Sequence, residues 1–498
     1  MTRQDDVNSL DHPALGRVRP HAWLLALGVA LAYTILATVR LDTGRATAWD
    51  FAYFQQVLWL ISHGDWAARS TLNGHLALTD AGSAILYPVA FFYRLTGPVG
   101  LLALQSASLA SGIPFLAWWM QRTGLAQKKS HPLIYLVYAA YPAILGPAFF
   151  DWHPDTLAVP LLFYAAWAIE TRQRRHYLAA ALLLLSTKVT AALTVLGLAP
   201  VWWMRRDWTM GAVSVMLALM VGAGEVLWLF PHLTGHVMSQ WSQYYRWLGP
   251  TPLAGLEALL RHPWYLATVW FRKSAWFYGV ILALPVGFVP LFSGLGAPGW
   301  AWPAWLILEF NAFSQFNGQL NPWNQYSVPV APFLFISLVV LLSRLRLSPR
   351  ALALGTMECF LASLLLWASA ERYWVWYSYP ATQALISVVQ HIPPGVPVYG
   401  QNCTLALVAN RPVIGFLPLP RDVPRNAWVL LNFDVNPYTR LTPPHVLAAT
   451  LEELRTHSKV WRLRDHVGPV WLFQHLNGTE RSIASSPFDS RRRQEGNF

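Results

Sequence analysis

Charged residues are scarce in this chain of 498 residues. They make up 12% of the sequence, whereas hydrophobic residues make up 55%. A soluble domain usually carries about 25% charged residues. So few charges cannot cover the surface of a soluble protein of this size, and the sequence also contains repeated long apolar runs. Both features predict a polytopic membrane protein.

Cysteine and the common nucleotide motifs are also scarce or absent. The two cysteines, Cys359 and Cys403, lie in an apolar run and in a distant polar region, so a disulfide framework is not expected. No group of Cys and His has the spacing of a zinc site. No P-loop, GxSxG, HExxH or dinucleotide fingerprint occurs. Their absence argues against nucleotide-driven transport, a nucleotide cofactor and the chemistry of soluble hydrolases.

The net charge of +12 does not indicate nucleic acid as a partner. Arg and Lys occur in short clusters between the apolar runs, which is the distribution expected of cytoplasmic loops. We therefore expect an anionic lipid surface to be the partner of these charges.

The same charge pattern predicts the topology. Arg17 and Arg19 precede the first crossing, at residues 22–39, and place the N-terminus in the cytoplasm. Residues 83–95 are interpreted as a short helix at the outer face, and residues 177–204 as two short crossings with Lys188 near their outer turn. The prediction is a bacterial inner-membrane protein with about 11 crossings and an external C-terminus. Its segments are a cytoplasmic N-terminus (1–21) and a transmembrane domain (22–370) with outer loops at 40–97, 231–272 and 311–327.

The composition changes after residue 370. An amphipathic segment at 381–391 and short apolar runs at 396–399, 413–416, 428–433 and 470–475 follow. Short strands alternating with a helix predict a small α/β domain outside the membrane, over residues 371–480. The tail, 481–498, is expected to be disordered.

The first outer loop carries the strongest candidate site. In residues 48–80, aromatic rings alternate with polar side chains, and Asp50, Gln56, His75 and Asp80 are among these. Carboxylates, imidazoles and amides beside rings suit a sugar or phosphate site. Asp50 is the candidate catalytic or metal-binding group. The alternative is that Asp50 only caps a helix.

A second polar cluster is predicted at the same face. Residues 150–155 read FDWHPD, and the candidate site residues among them are Asp151, Trp152, His153 and Asp155. Asp and His can hold a divalent cation or share acid/base work, and this choice stays open. Lys188 is costly in lipid and is therefore a functional candidate, able to pair with a phosphate oxygen. Its alternative is snorkelling to the headgroup layer.

Several stretches resemble known families. WDFAYFQQVLW, FFDWHPDTLAVPLLF and weaker motifs as far as residue 434 resemble a bacterial family of predicted membrane proteins that is known only as a domain of unknown function. The N-terminal half also resembles the GT-C superfamily of membrane glycosyltransferases. That resemblance implies a lipid-phosphate sugar donor, with Asp50 as the acidic residue of the first outer loop. Asp151, His153 and Asp155 would lie on the second active-site loop, and Lys188 near the donor phosphate.

Two departures accompany the resemblance. Val189 and Thr190 stand where related sequences tend to have an acidic pair, and HLALTD stands where a His followed soon by Pro is expected.

The resulting hypothesis is a glycosyltransferase that moves a sugar from a polyprenyl-phosphate donor to an envelope glycan, lipid or protein. Asp50 and Asp151 would be catalytic, and Asp50, Asp151 and His153 would be the tentative metal ligands. Gln56, His75, Asp80, Trp152, His153, Asp155 and Lys188 would bind substrate. The alternatives are a lipid or solute transporter or flippase, and a non-catalytic envelope scaffold.

Overall fold

The computed structural model describes residues 18–127, 132–235, 239–288, 299–345, 347–368, 379–434 and 442–476. The chain divides into two compact units. The first, called here the membrane unit, comprises Met1–Thr38 and Leu76–Trp374. The second, the C-terminal unit, comprises Val39–His75 and Val375–Phe498. The first outer loop predicted from the sequence, 40–97, is therefore shared between the two units.

Helices account for most of the described chain. The first eleven are α1 (Pro20–Asp42), α2 (Tyr53–Ser62), α3 (Ala77–Ala81), α4 (Leu86–Ala110), α5 (Gly112–Arg122), α6 (Leu133–Ala140), α7 (Pro142–Phe149), α8 (Ala158–Glu170), α9 (Arg174–Leu185), α10 (Ala191–Met204) and α11 (Trp208–Gly224). The others are α12 (Phe230–Thr234), α13 (Ser239–Tyr244), α14 (Pro252–Arg261), α15 (Tyr265–Thr268), α16 (Lys273–Ala283), α17 (Trp302–Phe313), α18 (Val330–Arg344), α19 (Pro349–Ala368), α20 (Tyr379–Val389), α21 (Asn402–Leu405) and α22 (Pro444–Thr456).

Shorter elements connect them. Two are π-helices, Ala48–Ala52 and Glu225–Leu229. The 3₁₀ turns are Leu125–Gln127, Pro154–Leu157, Arg246–Leu248, Val269–Phe271, Leu284–Val286 and Gln325–Ser327.

The membrane unit is a helical assembly with one large apolar core. Helix α10 packs against α11 and α17, α8 against α9, and α6 against α19. Buried tyrosines join helices by donating to backbone carbonyls. Tyr138 donates to Leu109 O at 2.8 Å, and Tyr141 donates to Leu282 O at 2.8 Å. Such bonds offset the cost of burying a hydroxyl in an apolar core.

Four helical stretches of the described chain are long and apolar enough to cross a membrane: Pro20–Asp42, Leu86–Arg122, Trp208–Thr234 and Pro349–Trp367. Shorter apolar helices lie at Ala191–Met204, Lys273–Val286 and Val330–Arg344. A straight crossing of about 30 Å needs roughly 20 residues. The predicted count of about 11 crossings is therefore not confirmed.

Proline and glycine divide or kink the helices of some apolar runs. The apolar run 132–149 forms two eight-residue helices, because Tyr141 adopts an extended backbone ahead of Pro142. The predicted short helix at 83–95 corresponds to the first part of α4, up to Thr96. That helix kinks at Gly97, where φ is 65° and Pro98 follows. Residues 177–204 do form two helices, α9 and α10, with Lys188 between them.

The C-terminal unit contains a five-stranded sheet in the order β2-β1-β3-β5-β4. Its strands are β1 (Val398–Gly400), β2 (Ile414–Phe416), β3 (Trp428–Asn432), β4 (Trp461–Val467) and β5 (Val470–His475). β1 is parallel to both β2 and β3, and β5 is antiparallel to β3 and β4. The small C-terminal α/β fold predicted from the sequence is confirmed.

Two elements of this sheet region were missed. The edge strand β4 is mostly exposed and carries Arg462, Arg464 and His466, so it lacks the apolar signal of the other strands. Helix α22 was also missed. The predicted domain start at 371 and the tail 481–498 lie outside the described residues.

Residues 39–75 are attached to edge strand β2 by hydrogen bonds. Thr71 Oγ1 donates to Ile414 O at 2.7 Å and accepts from Ile414 N at 3.0 Å. Arg411, which precedes β2, is also buried and donates to the carbonyls of Val396 and Val408. Burial lowers the pKa of Arg411 to about 10.

Close packing of α10 against α17 yields a first prediction. A methyl group added at Gly197 would lie 2.6 Å from Pro303 Cα, a backbone atom that cannot move alone. We expect Gly197→Ala to destabilise the purified protein by about 1–3 kcal/mol, as overpacking does. Thermal unfolding in detergent measures this.

The matched control is Gly28→Ala in helix α1, where nothing lies within 4 Å of the added methyl. Helix propensity predicts an unchanged or slightly higher melting temperature for this variant. Equal losses in the two variants would contradict the packing argument.

Candidate functional site

The loop between α7 and α8 is held by one buried amide, that of Gln105 on α4. Gln105 Nε2 donates to Pro147 O at 2.9 Å. Its Oε1 accepts from the backbone N–H of His153 at 3.1 Å and from Thr156 Oγ1 at 3.4 Å. One side chain therefore ties the end of α7 to the FDWHPD loop. Sequence reasoning missed Gln105, although a Gln inside the apolar run 101–120 was the available signal.

His153 has a defined orientation in this loop. Its Nδ1 lies 2.9 Å from the carbonyl oxygen of Asp151, and its ring stacks on Phe150 with centroids 5.7 Å apart. Because a carbonyl only accepts, Nδ1 carries the proton and Nε2 is the acceptor nitrogen of the neutral ring. Pro154 then begins a 3₁₀ turn that brings Asp155 into the core.

Asp151 and Trp152 lie beside His153 and are also deeply buried. Trp152 has 0% of its surface exposed, and Asp151 has 1%. This is an ordinary environment for a structural indole. The stacking of Trp152 on a sugar and the catalytic role of Asp151 stay predictions.

Asp155 and Lys188 form a buried ion pair. Lys188 Nζ lies 3.1 Å from Asp155 Oδ1 and 3.3 Å from Oδ2. The carboxylate side chain is 5% exposed and that of the lysine 14%. The ammonium also lies 4.8 Å from the ring centroid of Tyr326. The turn between α9 and α10 thus brings together two residues that the sequence singled out 33 positions apart.

Lys188 lines two cavities of the membrane unit. The smaller, about 30 Å³, is also lined by Asp155, Asn311, Gln319 and Tyr326. The larger, about 220 Å³, has an aromatic wall made of Trp241, Tyr244, Tyr245, Phe310 and Tyr326. A largely buried cation that lines a cavity in an apolar helical unit is a candidate anion-binding group.

Asp50, the leading sequence candidate, belongs to the C-terminal unit. It lies on the π-helix Ala48–Ala52, where Thr47 Oγ1 donates to its Oδ2 at 3.1 Å. The N–H of Ala48 donates to Asn402 Oδ1 at 3.0 Å. Segments of π-helix often mark functional sites. The catalytic role of Asp50 stays a prediction.

Gln56, predicted to bind substrate, uses its whole amide inside the C-terminal unit. Nε2 donates to Thr71 Oγ1 at 2.8 Å and to Pro412 O at 3.0 Å. Oε1 accepts from Ser70 Oγ at 2.9 Å and from the N–H of Thr71 at 3.1 Å. Through these four bonds, Gln56 connects α2 to residues 70–71 and to the segment before β2.

The other two candidates from the first outer loop, His75 and Asp80, belong to different units. His75 closes a turn in the C-terminal unit, where its N–H donates to Asn73 Oδ1 at 3.0 Å and its carbonyl accepts from Ser70 N–H at 3.0 Å. Asp80 lies on the short helix α3 of the membrane unit. Their binding roles stay predictions.

A divalent metal was the tentative cofactor. Within the ranges that the structure describes, no group of three or more His, Cys, Asp or Glu side chains is placed to hold a metal ion. Asp50 belongs to the C-terminal unit, whereas Asp151 and His153 belong to the membrane unit. The divalent metal stays a prediction.

The bonds of Gln56 generate a second prediction. In Gln56→Leu, the Ser70 hydroxyl and the Thr71 N–H lose their acceptor, at about 1–3 kcal/mol for each donor left unpaired. We expect a clear fall in melting temperature. Gln55→Leu, at the adjacent buried position of α2, measures the general cost of replacing a buried Gln. If the two variants lose equal stability, the four bonds are not the cause.

The ion pair generates a third prediction. Asp155→Asn and Lys188→Met each leave a buried charge without its partner, and we expect each to destabilise by about 3–5 kcal/mol. The double variant should lose much less than the sum, which thermal unfolding of all four proteins measures. Glu257→Gln is the control, since its pair with Arg261 is exposed and should matter by less than about 1 kcal/mol. Additive losses would exclude coupling between Asp155 and Lys188.

Comparison with known proteins gives a fold and a family. The fold is similar to that in the crystal structure of ArnT from Cupriavidus metallidurans in the apo state, with a TM-score of 0.51 and 15% sequence identity. The match covers 91% of this chain and 98% of that chain. At this identity the match shows an ArnT-like fold alone, which by itself does not establish activity.

No curated protein matches the sequence. The model of the family described as "Predicted membrane protein (DUF2079)" matches residues 40–459. That range covers most of the chain and includes every residue proposed for the site. The chain therefore belongs to the DUF2079 family of predicted membrane proteins.

Proposed function

We propose that this protein is a membrane glycosyltransferase that takes a sugar from a polyprenyl-phosphate donor. The observation that carries the proposal is the largely buried ion pair of Lys188 and Asp155, in which the lysine also lines a cavity of about 220 Å³. The ArnT-like fold adds support, because the donor class of GT-C enzymes has a lipid-linked phosphate.

The bonding of Lys188 is compatible with a phosphate ligand. An ammonium group has three N–H donors, and the two oxygens of Asp155 accept two bonds from it. The third donor is available for a phosphate oxygen. Asp155 then fixes the position of the ammonium and compensates its charge when the donor is absent.

The proposed reaction is a displacement at the anomeric carbon. An acceptor hydroxyl attacks this carbon and forms the new glycosidic bond, while the bond from the carbon to the phosphate oxygen breaks. The electron pair leaves with the polyprenyl phosphate, whose growing charge Lys188 stabilises. The hydroxyl proton passes to a carboxylate base, for which Asp50 is the candidate by resemblance.

The remaining residues of the site have supporting roles in this proposal. Asp151 and His153 lie on the loop fixed by Gln105; Asp151 would share the acid/base catalysis with Asp50, and His153 would orient the donor. The partners are membrane lipids, the lipid-linked donor and an envelope glycan, lipid or protein as acceptor. The positive-inside pattern supports reaction at the outer face of the bacterial inner membrane, with the N-terminus cytoplasmic and the C-terminal unit outside.

A transfer assay tests the proposal. Purified protein in nanodiscs is incubated with a panel of polyprenyl-phosphate sugars and envelope acceptors, and transfer and sugar release are measured with and without EDTA. We expect Asp50→Asn and Asp151→Asn to lower turnover at least about 100-fold, as the loss of acid/base catalysis does. Their melting temperatures should stay close to that of the wild type.

Asp422→Asn is the matched control, since it makes the same change at an exposed position. It should keep full turnover. Failure of well-folded wild type to bind any lipid-phosphate donor would refute the glycosyltransferase proposal.

A further inference from the structure

Gln319 is a buried amide in the loop between α17 and α18 that lines both cavities beside Lys188. Its residue surface is 3% exposed. Neither the sequence motifs nor the resemblance singled it out.

The orientation of this amide is fixed by a chain of hydrogen bonds. Asn311 Nδ2 donates to the backbone carbonyl of Tyr326 at 3.1 Å and to the Tyr278 hydroxyl at 2.9 Å. A carbonyl can only accept, so Asn311 must direct its nitrogen there and its oxygen toward Gln319. Gln319 Nε2 then donates to Asn311 Oδ1 at 2.8 Å and to the Tyr245 hydroxyl at 2.5 Å.

These bonds leave Oε1 as the atom of the Gln319 amide that has no hydrogen-bond partner among the described residues. Both N–H groups of the amide are used, whereas Oε1 is fully buried and accepts no hydrogen bond among the described residues. A buried carbonyl oxygen that lacks a donor costs about 1–3 kcal/mol. An amide oxygen can only accept, so any group that satisfies it must bring an O–H or N–H donor.

Gln319 lines a cavity whose aromatic wall is compatible with a sugar ring. Its wall includes the aromatic residues Trp241, Tyr244, Tyr245 and Tyr326, and rings of this kind can cover the apolar face of a sugar. Lys188 lies in the same wall and supplies the positive charge for a phosphate. A hydroxylated ring joined to a phosphate offers a donor to Gln319 and an anion to Lys188.

We propose that Gln319 is a specificity-determining residue whose Oε1 accepts a hydrogen bond from a hydroxyl of the donor sugar. This inference rests on the proposed function and deepens it. It assigns the sugar to the aromatic cavity and makes Gln319 the group that distinguishes a sugar-bearing lipid phosphate from a sugar-free one.

Binding measurements on the full chain in nanodiscs test the inference. The probes are polyprenyl phosphate and its glucose, galactose, mannose and N-acetylglucosamine esters. We expect the wild type to bind at least one ester about tenfold more tightly than polyprenyl phosphate, which is the effect of one satisfied buried bond. Gln319→Met should bind the ester and polyprenyl phosphate equally, with its affinity for polyprenyl phosphate unchanged.

Gln325→Met is the matched control. Gln325 is also buried, 5% exposed, and its Oε1 likewise accepts no bond among the described residues. It is not among the residues that line either cavity, so Gln325→Met should keep the tenfold preference. If the two variants lose the preference equally, the role of Gln319 is structural and the inference fails.

Deoxy analogues of the preferred sugar provide a test on the wild type alone. One analogue should lose about tenfold in affinity, and Gln319→Met should lose nothing further on that analogue. Equal binding of the ester and polyprenyl phosphate by wild type overturns the sugar site but leaves the lipid-phosphate site intact. Binding of neither overturns the proposed function itself.

Discussion

A lysine in an apolar helical unit requires an anion beside it, and the site in the membrane unit depends on this requirement. Removing an ammonium group from water costs several kcal/mol even after relaxation. The 3.1 Å contact with Asp155 compensates that cost. It also fixes the turn between α9 and α10 to the start of α8. The geometry of the cavity wall follows from the pairing of these two charges.

The same requirement applies to the neutral polar groups of this unit. Gln105 satisfies three partners across the FDWHPD loop, and Asn311 joins α17 to Tyr278 and Tyr326. In surroundings without water, a polar side chain that lacks a partner is costly, so these amides act as rigid connections. Gln319 Oε1 is one of the buried atoms of the described residues that lack such a partner, and Gln319 also lines both cavities beside Lys188.

The sequence predicted a part of this arrangement. Scarce charge and long apolar runs were enough to predict a helical membrane protein, and the alternation after residue 390 predicted the small sheet. Lys188 was identified because charged residues are rare in apolar runs, and Asp155 because FDWHPD is unusually polar for a short turn between two spans. Their contact was not predicted, since it depends on the packing of α8, α9 and α10. Gln105 was missed because an isolated amide carries little signal, and Gln319 was missed because its loop contains many amides.

The number of crossings and the unit to which residues 39–75 belong were also hard to predict, because both depend on contacts and backbone geometry that hydropathy does not report. A hydropathy pattern does not separate a full crossing from two half-length helices, and local backbone geometry at Tyr141 and Gly97 decides this. The attachment of residues 39–75 to the C-terminal unit likewise depends on bonds between Thr71 and Ile414. Such long-range pairings leave no periodic trace in the sequence.

The departure from related sequences next to Lys188 has a physical interpretation in this structure. An acidic pair immediately after the lysine would place its counter-charge on the same turn, but this chain has Val189 and Thr190 there. The counter-charge comes instead from Asp155, on a different segment. A carboxylate that belongs to the FDWHPD loop couples the position of the ammonium to that loop and to Gln105. In this chain, the ion pair therefore links Lys188 to the second polar cluster.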